Sequence, residues 1–227
     1  MKKRTEQVSV LFMLFSILFC VCLIAANLFA TKQISLGTVS VTGGLIIFPI
    51  SYIVNDCVCE VWGYRKMRML IWIGFAMNFF FVMMGALCDW IPAAPYYTND
   101  AGFHGVFGLA PRVAAASFLA FLVGSFMNAY VMSRMKIASQ GRNFSSRAII
   151  STVAGETADS LIFFPLALGG VVPTNALVEL MLCQILLKTL YEVVVLPVTI
   201  HVVHLMKEHE GEDVYDEGIS YNIFKLA

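Results

Sequence analysis

The stretch FPISYIVNDCVCEVWGY, residues 48–64, decides how the chain is read. It is almost wholly apolar, yet it carries Asp56 and Glu60, and no basic residue follows until Arg65. On a helix, positions four apart share a face, so both acids point the same way. In water this is an ordinary amphipathic helix. In a bilayer each such carboxylate costs about 3 kcal/mol or more unless it is paired or wet. Composition favours the bilayer. Of 227 residues, 59% are hydrophobic and 13% charged, against about 25% charged in a soluble domain. The formal net charge of zero offers no basic surface for nucleic acid.

Working outward, six apolar segments come near the ~20 residues that a span needs, at about 8–30, 43–62, 69–90, 112–134, 148–170 and 176–205. The first follows Lys2, Lys3 and Arg4, and its apolar core exceeds the roughly 7–15 residues of a secretory signal, so it reads as an anchor. The expected fold is an all-α membrane protein, a six-transmembrane-helix bundle over 1–206 with an acidic cytoplasmic tail at 207–227 that is polar enough to be mobile. Twelve of the fifteen Lys and Arg fall in segments on one side of these spans. The positive-inside rule therefore places both termini in the cytoplasm of a multi-pass inner-membrane protein. Six Cys form no C-x-x-C pair, and they read as small apolar fillers rather than zinc ligands. No metal or cofactor is expected.

The charges left inside the spans carry the functional information. The second span holds Asp56 and Glu60, the fifth Glu156 and Asp159, and the sixth Lys188 and Glu192; the fourth opens on Arg112. The acids outnumber the bases, so simple pairing between helices does not account for all of them. Intramembrane ionisable groups mark a polar pathway. The second and fifth spans also correspond. Each carries two acids and a Phe-Pro step, Phe48-Pro49 and Phe164-Pro165, and they cross in opposite directions. This suggests two inverted three-helix repeats, a transporter pattern. In the fourth span Arg112, Ala116, Ala120, Gly124 and Asn128 recur every four residues, a stripe on which another helix packs closely.

Four ordered blocks resemble a known family: FPISYIVNDCVCEVWG (48–63), RVAAASFLAFLVGSFMNAYV (112–131), STVAGETADSLIFFPLAL (151–168) and LLKTLYEVVVLPV (186–198). They are similar to the motifs of the queuosine precursor transporters, a vitamin uptake transporter group, over about Asn27 to Pro197. The resemblance implies a six-helix inner-membrane importer, a secondary transporter of 7-deazaguanine bases: 7-cyano-7-deazaguanine (preQ0), its aminomethyl derivative (preQ1) or queuine. Asp56 matches the FP-x-x-Y-x-x-x-D block, Arg112 and Ser117 the R-x-x-x-x-SF block, and Asp159 the G-x-x-x-D block. Lys188 matches the single intramembrane lysine. Glu60, Asn128, Ser125 and Glu156 stand where members vary, which leaves the preferred base open.

The implied substrate-binding set is Asn27, Phe48, Tyr52, Asp56, Arg112, Asn128, Glu156, Asp159, Phe163 and Lys188, with Glu60, Glu156 and Glu192 as candidates for proton coupling. The chemistry suits such a cargo. One carboxylate accepts both the N1–H and the exocyclic NH2 of a guanine-like edge. Asn128, Arg112 or Lys188 would donate to the ring carbonyl, and Phe48, Tyr52, Phe163 and Phe164 offer faces for a flat ring. The expected partners are the small base and the lipid bilayer, with no nucleic acid; a homo-oligomer stays open. One alternative is the substrate-binding subunit of an energy-coupling-factor vitamin transporter, with Ala26 and Ala30 facing a partner helix. An enzyme is not expected, because no G-x-S-x-G or H-E-x-x-H motif accompanies the acids.

Overall fold

The structure is a computed structural model that describes residues 8–36, 39–108, 111–170 and 173–225. Six helices carry the fold: α1 (Val10–Ala30), α2 (Phe48–Trp90), the short α3 (Asp100–Phe107), α4 (Pro111–Ala138), α5 (Phe144–Leu168) and α6 (Thr174–Glu210). Strands β1 (Gln33–Leu36) and β2 (Val39–Thr42) pair antiparallel between α1 and α2. Five helices are long and apolar enough to cross a bilayer, with α2 counted once.

Helix α2 makes two crossings. Its 43 residues would reach about 65 Å if straight, twice the roughly 30 Å hydrocarbon core. Gly63 breaks it, at φ 81° and ψ 170°. Before the break, Gly44 abuts Ala26 and Ala30 near the end of α1, while Trp62 packs edge-on against Phe12 near its start. After the break, Gly74 meets Phe19 and Leu23, and Asn78 accepts a 2.7 Å hydrogen bond from Asn27. The chain thus descends beside α1 and climbs back along it. With α1, α4, α5 and α6 this gives six crossings, and the spans expected at 43–62 and 69–90 are the two arms of α2.

The crossings pack through small residues. A Cβ on Gly124 would meet the Gly155 carbonyl at 3.1 Å, and one on Gly155 would meet the Gly124 carbonyl at 2.9 Å. Helices α4 and α5 therefore cross almost backbone to backbone. Large apolar side chains such as Phe80, Leu186, Leu190 and Val194 point outward, 58–70% exposed. In a bilayer that belt faces hydrocarbon, so its exposure carries no cost.

One end of the bundle is basic. There Ser9 caps α1 and donates a 2.5 Å hydrogen bond to Glu210 at the close of α6. Glu60 takes a bidentate pair from Arg147 at 2.5 and 3.0 Å and a further bond from the Lys207 ammonium at 2.7 Å. Lys136 donates to the Glu60 carbonyl and to Asp213. Glu60 and Arg147 are each 1% exposed.

The tail does not behave as its composition predicts. It packs over this end. Asp216 accepts from the Tyr64 backbone N–H and the Ser133 hydroxyl, Arg68 donates to the Ser220 and Asn222 carbonyls, and Trp72 donates to the Ile223 carbonyl. Burial pushes the Asp213 carboxyl up, but hydrogen bonds from Lys136 and Lys207 more than offset this and hold it below the usual range.

Gly63 joins the two features. Its backbone conformation is open almost only to glycine. A Cβ there would also meet Asp216 Oδ1 at 2.7 Å and Val214 Cγ1 at 2.9 Å. Gly63→Ala is expected to cost about 1–3 kcal/mol from backbone strain and to loosen the tail. Thermal unfolding and amide exchange over 213–224 read both effects; unchanged protection of the tail would contradict the coupling.

Candidate substrate site

A cavity of about 130 Å³ opens in the half of the bundle away from the basic end, far above the roughly 15 Å³ that one water needs. Asn27 on α1, Phe48 at the start of α2, Ser117 and Phe121 on α4, Asp159, Phe163 and Phe164 on α5, and Gln184 and Lys188 on α6 line it. Every crossing except the second arm of α2 contributes. The two Phe-Pro steps lie at the same end, and both of their phenylalanines face this space.

Lys188 organises the polar wall. Its ammonium donates to Glu156 at 2.6 Å, lies 3.7 Å from Asp159, and sits 4.1 Å from the centroid of the Phe48 ring. Glu156 is buried behind the lysine and is 1% exposed, whereas the Asp159 side chain is 14% exposed. The ion pair to Asp159 is longer than a hydrogen bond, so this carboxylate can accept from a ligand. One ammonium serves two acids, which leaves the wall short of one positive charge.

Beneath the cavity stands Tyr52. It packs into the notch where Gly124 and Gly155 meet, and its hydroxyl lies within electrostatic reach of Asp56, Glu156, Asp159 and Glu192. The hydroxyl has no hydrogen-bond partner.

Toward the basic end a second polar group is closed off. Asp56 Oδ1 accepts from Asn128 Nδ2 at 2.8 Å and from the Ser151 hydroxyl at 3.3 Å. Glu192 faces Asp56 and Thr152, yet neither of its oxygens meets an aligned donor. Asp56 lies eight residues beyond Phe48, about 12 Å along the helix.

The residues expected from sequence therefore separate. Asn27, Phe48, Asp159, Phe163 and Lys188 line one cavity, with Glu156 and Tyr52 directly behind it. Asp56 and Asn128 do not line it; they join Glu192 in the lower group. The expectation that Asp56 and Asp159 converge on one pocket is corrected here, and helix rise is the reason. Glu60 sits lower still, neutralised in the basic cluster. The Arg112 side chain lies outside the described residues. Sequence reading missed Gln184, which stands one turn before Lys188 on the same face of α6 and could have been found by that spacing. Among the described residues no group of three or more His, Cys, Asp or Glu is placed to hold a metal.

Six crossings around a cavity walled by charge and aromatic rings define a helical membrane transporter by class. A family model described as "Putative vitamin uptake transporter" matches residues 42–202, and the chain belongs to that family of multi-pass cell-membrane proteins. It is 28% identical over 177 residues to the "Probable queuosine precursor transporter" of Bacillus subtilis (strain 168), covering 77% of this chain and 76% of that one. It is 26% identical over 169 residues to the "Queuosine precursor transporter" of Escherichia coli (strain K12), covering 72% and 71%. No solved structure matches.

Proposed function

We propose that the chain imports a 7-deazaguanine precursor of queuosine, with its basic end in the cytoplasm. The names of the two relatives point to the cargo. The clustering of Arg68, Arg134, Lys136, Arg147 and Lys207 at one end supports the orientation through the positive-inside rule.

The carrying observation is the open carboxylate of Asp159 beside Lys188 and the Phe48 and Phe163 rings. A guanine-like edge presents N1–H and an exocyclic NH2 side by side, and Asp159 accepts both. The ring carbonyl takes donors from Lys188, Gln184 or Asn27. Phe48 on one wall and Phe163 with Phe164 on another cover the faces of the base. With two acids to one ammonium, the wall favours the cationic aminomethyl base over the neutral nitrile.

Growth and queuosine formation in a strain unable to make the precursor, fed each base in turn, test this. The wild type is expected to rescue. Asp159→Asn turns half of the acceptor into a donor and is expected to lower uptake about 10–100-fold, the worth of a charged hydrogen bond. Failure of every base to rescue removes the assignment, and equal use of nitrile and aminomethyl bases removes the preference.

The partner-dependent alternative loses its sequence support. Gly44 packs on Ala26 and Ala30, so that pair serves this chain's own fold. Uptake in a host without energy-coupling-factor ATPases separates the two readings. Of the three acids considered for coupling, Glu60 and Glu156 are held by basic partners, which leaves Glu192.

A further inference from the structure

We propose that the lower polar group, built by Asp56, Asn128, Thr152 and Glu192, is a binding site for a hard monovalent cation of the sodium type. Its consequence for uptake rests on the transport reading above; its existence does not.

Asp56 and Glu192 face one another and are 0% and 2% exposed. Among the described residues the nearby bases are already engaged. Lys188 lies one turn away on α6 and is engaged by Glu156 and Asp159. Arg147 and Lys136 are bound in the basic cluster with Glu60 and Asp213. Two buried carboxylates without a counter-charge either take up protons or hold a cation.

Among the described residues Asn128 Nδ2 and the Ser151 hydroxyl donate to Asp56 Oδ1, and the Thr152 hydroxyl is a further donor facing Glu192. Asp56 Oδ2, Asn128 Oδ1 and both oxygens of Glu192 are left without an aligned donor, and the Thr152 hydroxyl oxygen stands beside them as a fifth. Asn128 is 0% and Thr152 2% exposed, so bulk water does not reach them. A proton shared between the two acids satisfies that pair and leaves the Asn128 oxygen orphaned. A cation accepts several lone pairs at once and resolves them together.

The ligand set selects the ion. Carboxylate, amide and hydroxyl oxygens suit a hard cation, and the lack of His and Cys disfavours zinc or copper. Five oxygens fall short of the about 6–8 that calcium takes.

The position links this site to the cavity. Thr152 is one turn from Glu156 on α5, and Glu192 is one turn from Lys188 on α6. A cation that ties Thr152 to Glu192 fixes the register of α5 against α6, and with it the Asp159–Lys188 wall. Binding of cation and base is then reciprocal: each raises the affinity for the other.

The test uses the full chain in lipid nanodiscs, with no base present. Thermal unfolding is followed as sodium chloride replaces choline chloride at constant ionic strength and pH, with potassium and calcium chlorides as parallel arms. The expected result is a saturable, sodium-specific rise in melting temperature, matched by saturable binding of radioactive sodium. Asp56→Asn and Glu192→Gln remove it. Thr152→Ala keeps both carboxylates, so it guards against a variant that fails to fold; it should raise the sodium concentration for half-effect about tenfold, the loss of one ligand worth ~1.4 kcal/mol. No sodium-specific rise in the wild type overturns the proposal, as does an equal response to potassium or a response to calcium alone. Sodium binding in a protein that rescues with no base keeps this site and removes only the transport reading.

Discussion

Lys188→Ala is expected to abolish uptake and to destabilise the bundle by about 3–5 kcal/mol, the cost of stripping one partner from a buried ion pair. The lysine's ammonium is the sole base that meets Glu156 and Asp159 among the described residues. Without it Glu156, at 1% exposure, has nothing to balance its charge. Loss of fold and loss of function would then be confounded, and a double variant separates them. In Lys188→Met with Glu156→Gln the unpaired charge is gone and the volume is kept, so most of the stability returns. Uptake does not return, because the donor to the base and the cation on the Phe48 ring are both missing. Thermal unfolding of both variants beside their rescue of growth reads the two effects. Recovery of uptake in the double variant would show that Lys188 only braces Glu156.

Arg147→Ala is expected to lower stability by the same route, to a smaller extent. Arg147 holds Glu60 through two hydrogen bonds of 2.5 and 3.0 Å, with both side chains 1% exposed. Its removal leaves Glu60 to Lys207 at 2.7 Å and Lys136 at 3.9 Å, so the charge stays paired and the loss is about 1.5–3 kcal/mol, the worth of a charged hydrogen bond. The basic end also carries the tail through Lys136 and Asp213, so the tail should lose protection together with the bundle. Uptake should fall only in proportion to the folded protein, since this cluster lies away from the cavity. Amide exchange and uptake normalised to folded protein decide it. A drop in uptake per folded molecule would place the cluster in the transport path.

Much of this was legible in the sequence. The apolar segments marked by hydropathy coincide within a few residues with α1, the two arms of α2, α4, α5 and α6, because only helices satisfy the backbone in lipid. What hydropathy does not register is the tightness of the turn at Gly63, where two helices abut with no loop between them. Strands β1 and β2 were missed, although Ile34 and Leu36, then Val39 and Val41, alternate with polar or small neighbours. The tail misled for a physical reason. Its composition is that of a solvated segment, but Asp213 and Asp216 find cationic and backbone donors that only the folded bundle assembles.

At the site, residue types sufficed to identify Asp159, Lys188, Phe48 and Phe163 as neighbours. They did not give depth. Asp56 and Asp159 both read as mid-membrane acids, and only the packing of α2 against α4 and α5 shows that Tyr52 stands between their two compartments. Glu60 was grouped with Asp56 by helical spacing, yet one more turn carries it into reach of Arg147.

The proposed transport requires Asp159 to read the hydrogen-donating edge of a flat base. Equilibrium binding to the purified chain measures this most directly, with 7-aminomethyl-7-deazaguanine as ligand and adenine, which lacks the paired N1–H and NH2 donors, as competitor. The expected result is binding that adenine does not displace and that Asp159→Asn weakens about 10–100-fold, the worth of a charged hydrogen bond. Undiminished binding by Asp159→Asn, or displacement by adenine as effective as by the ligand itself, would contradict it.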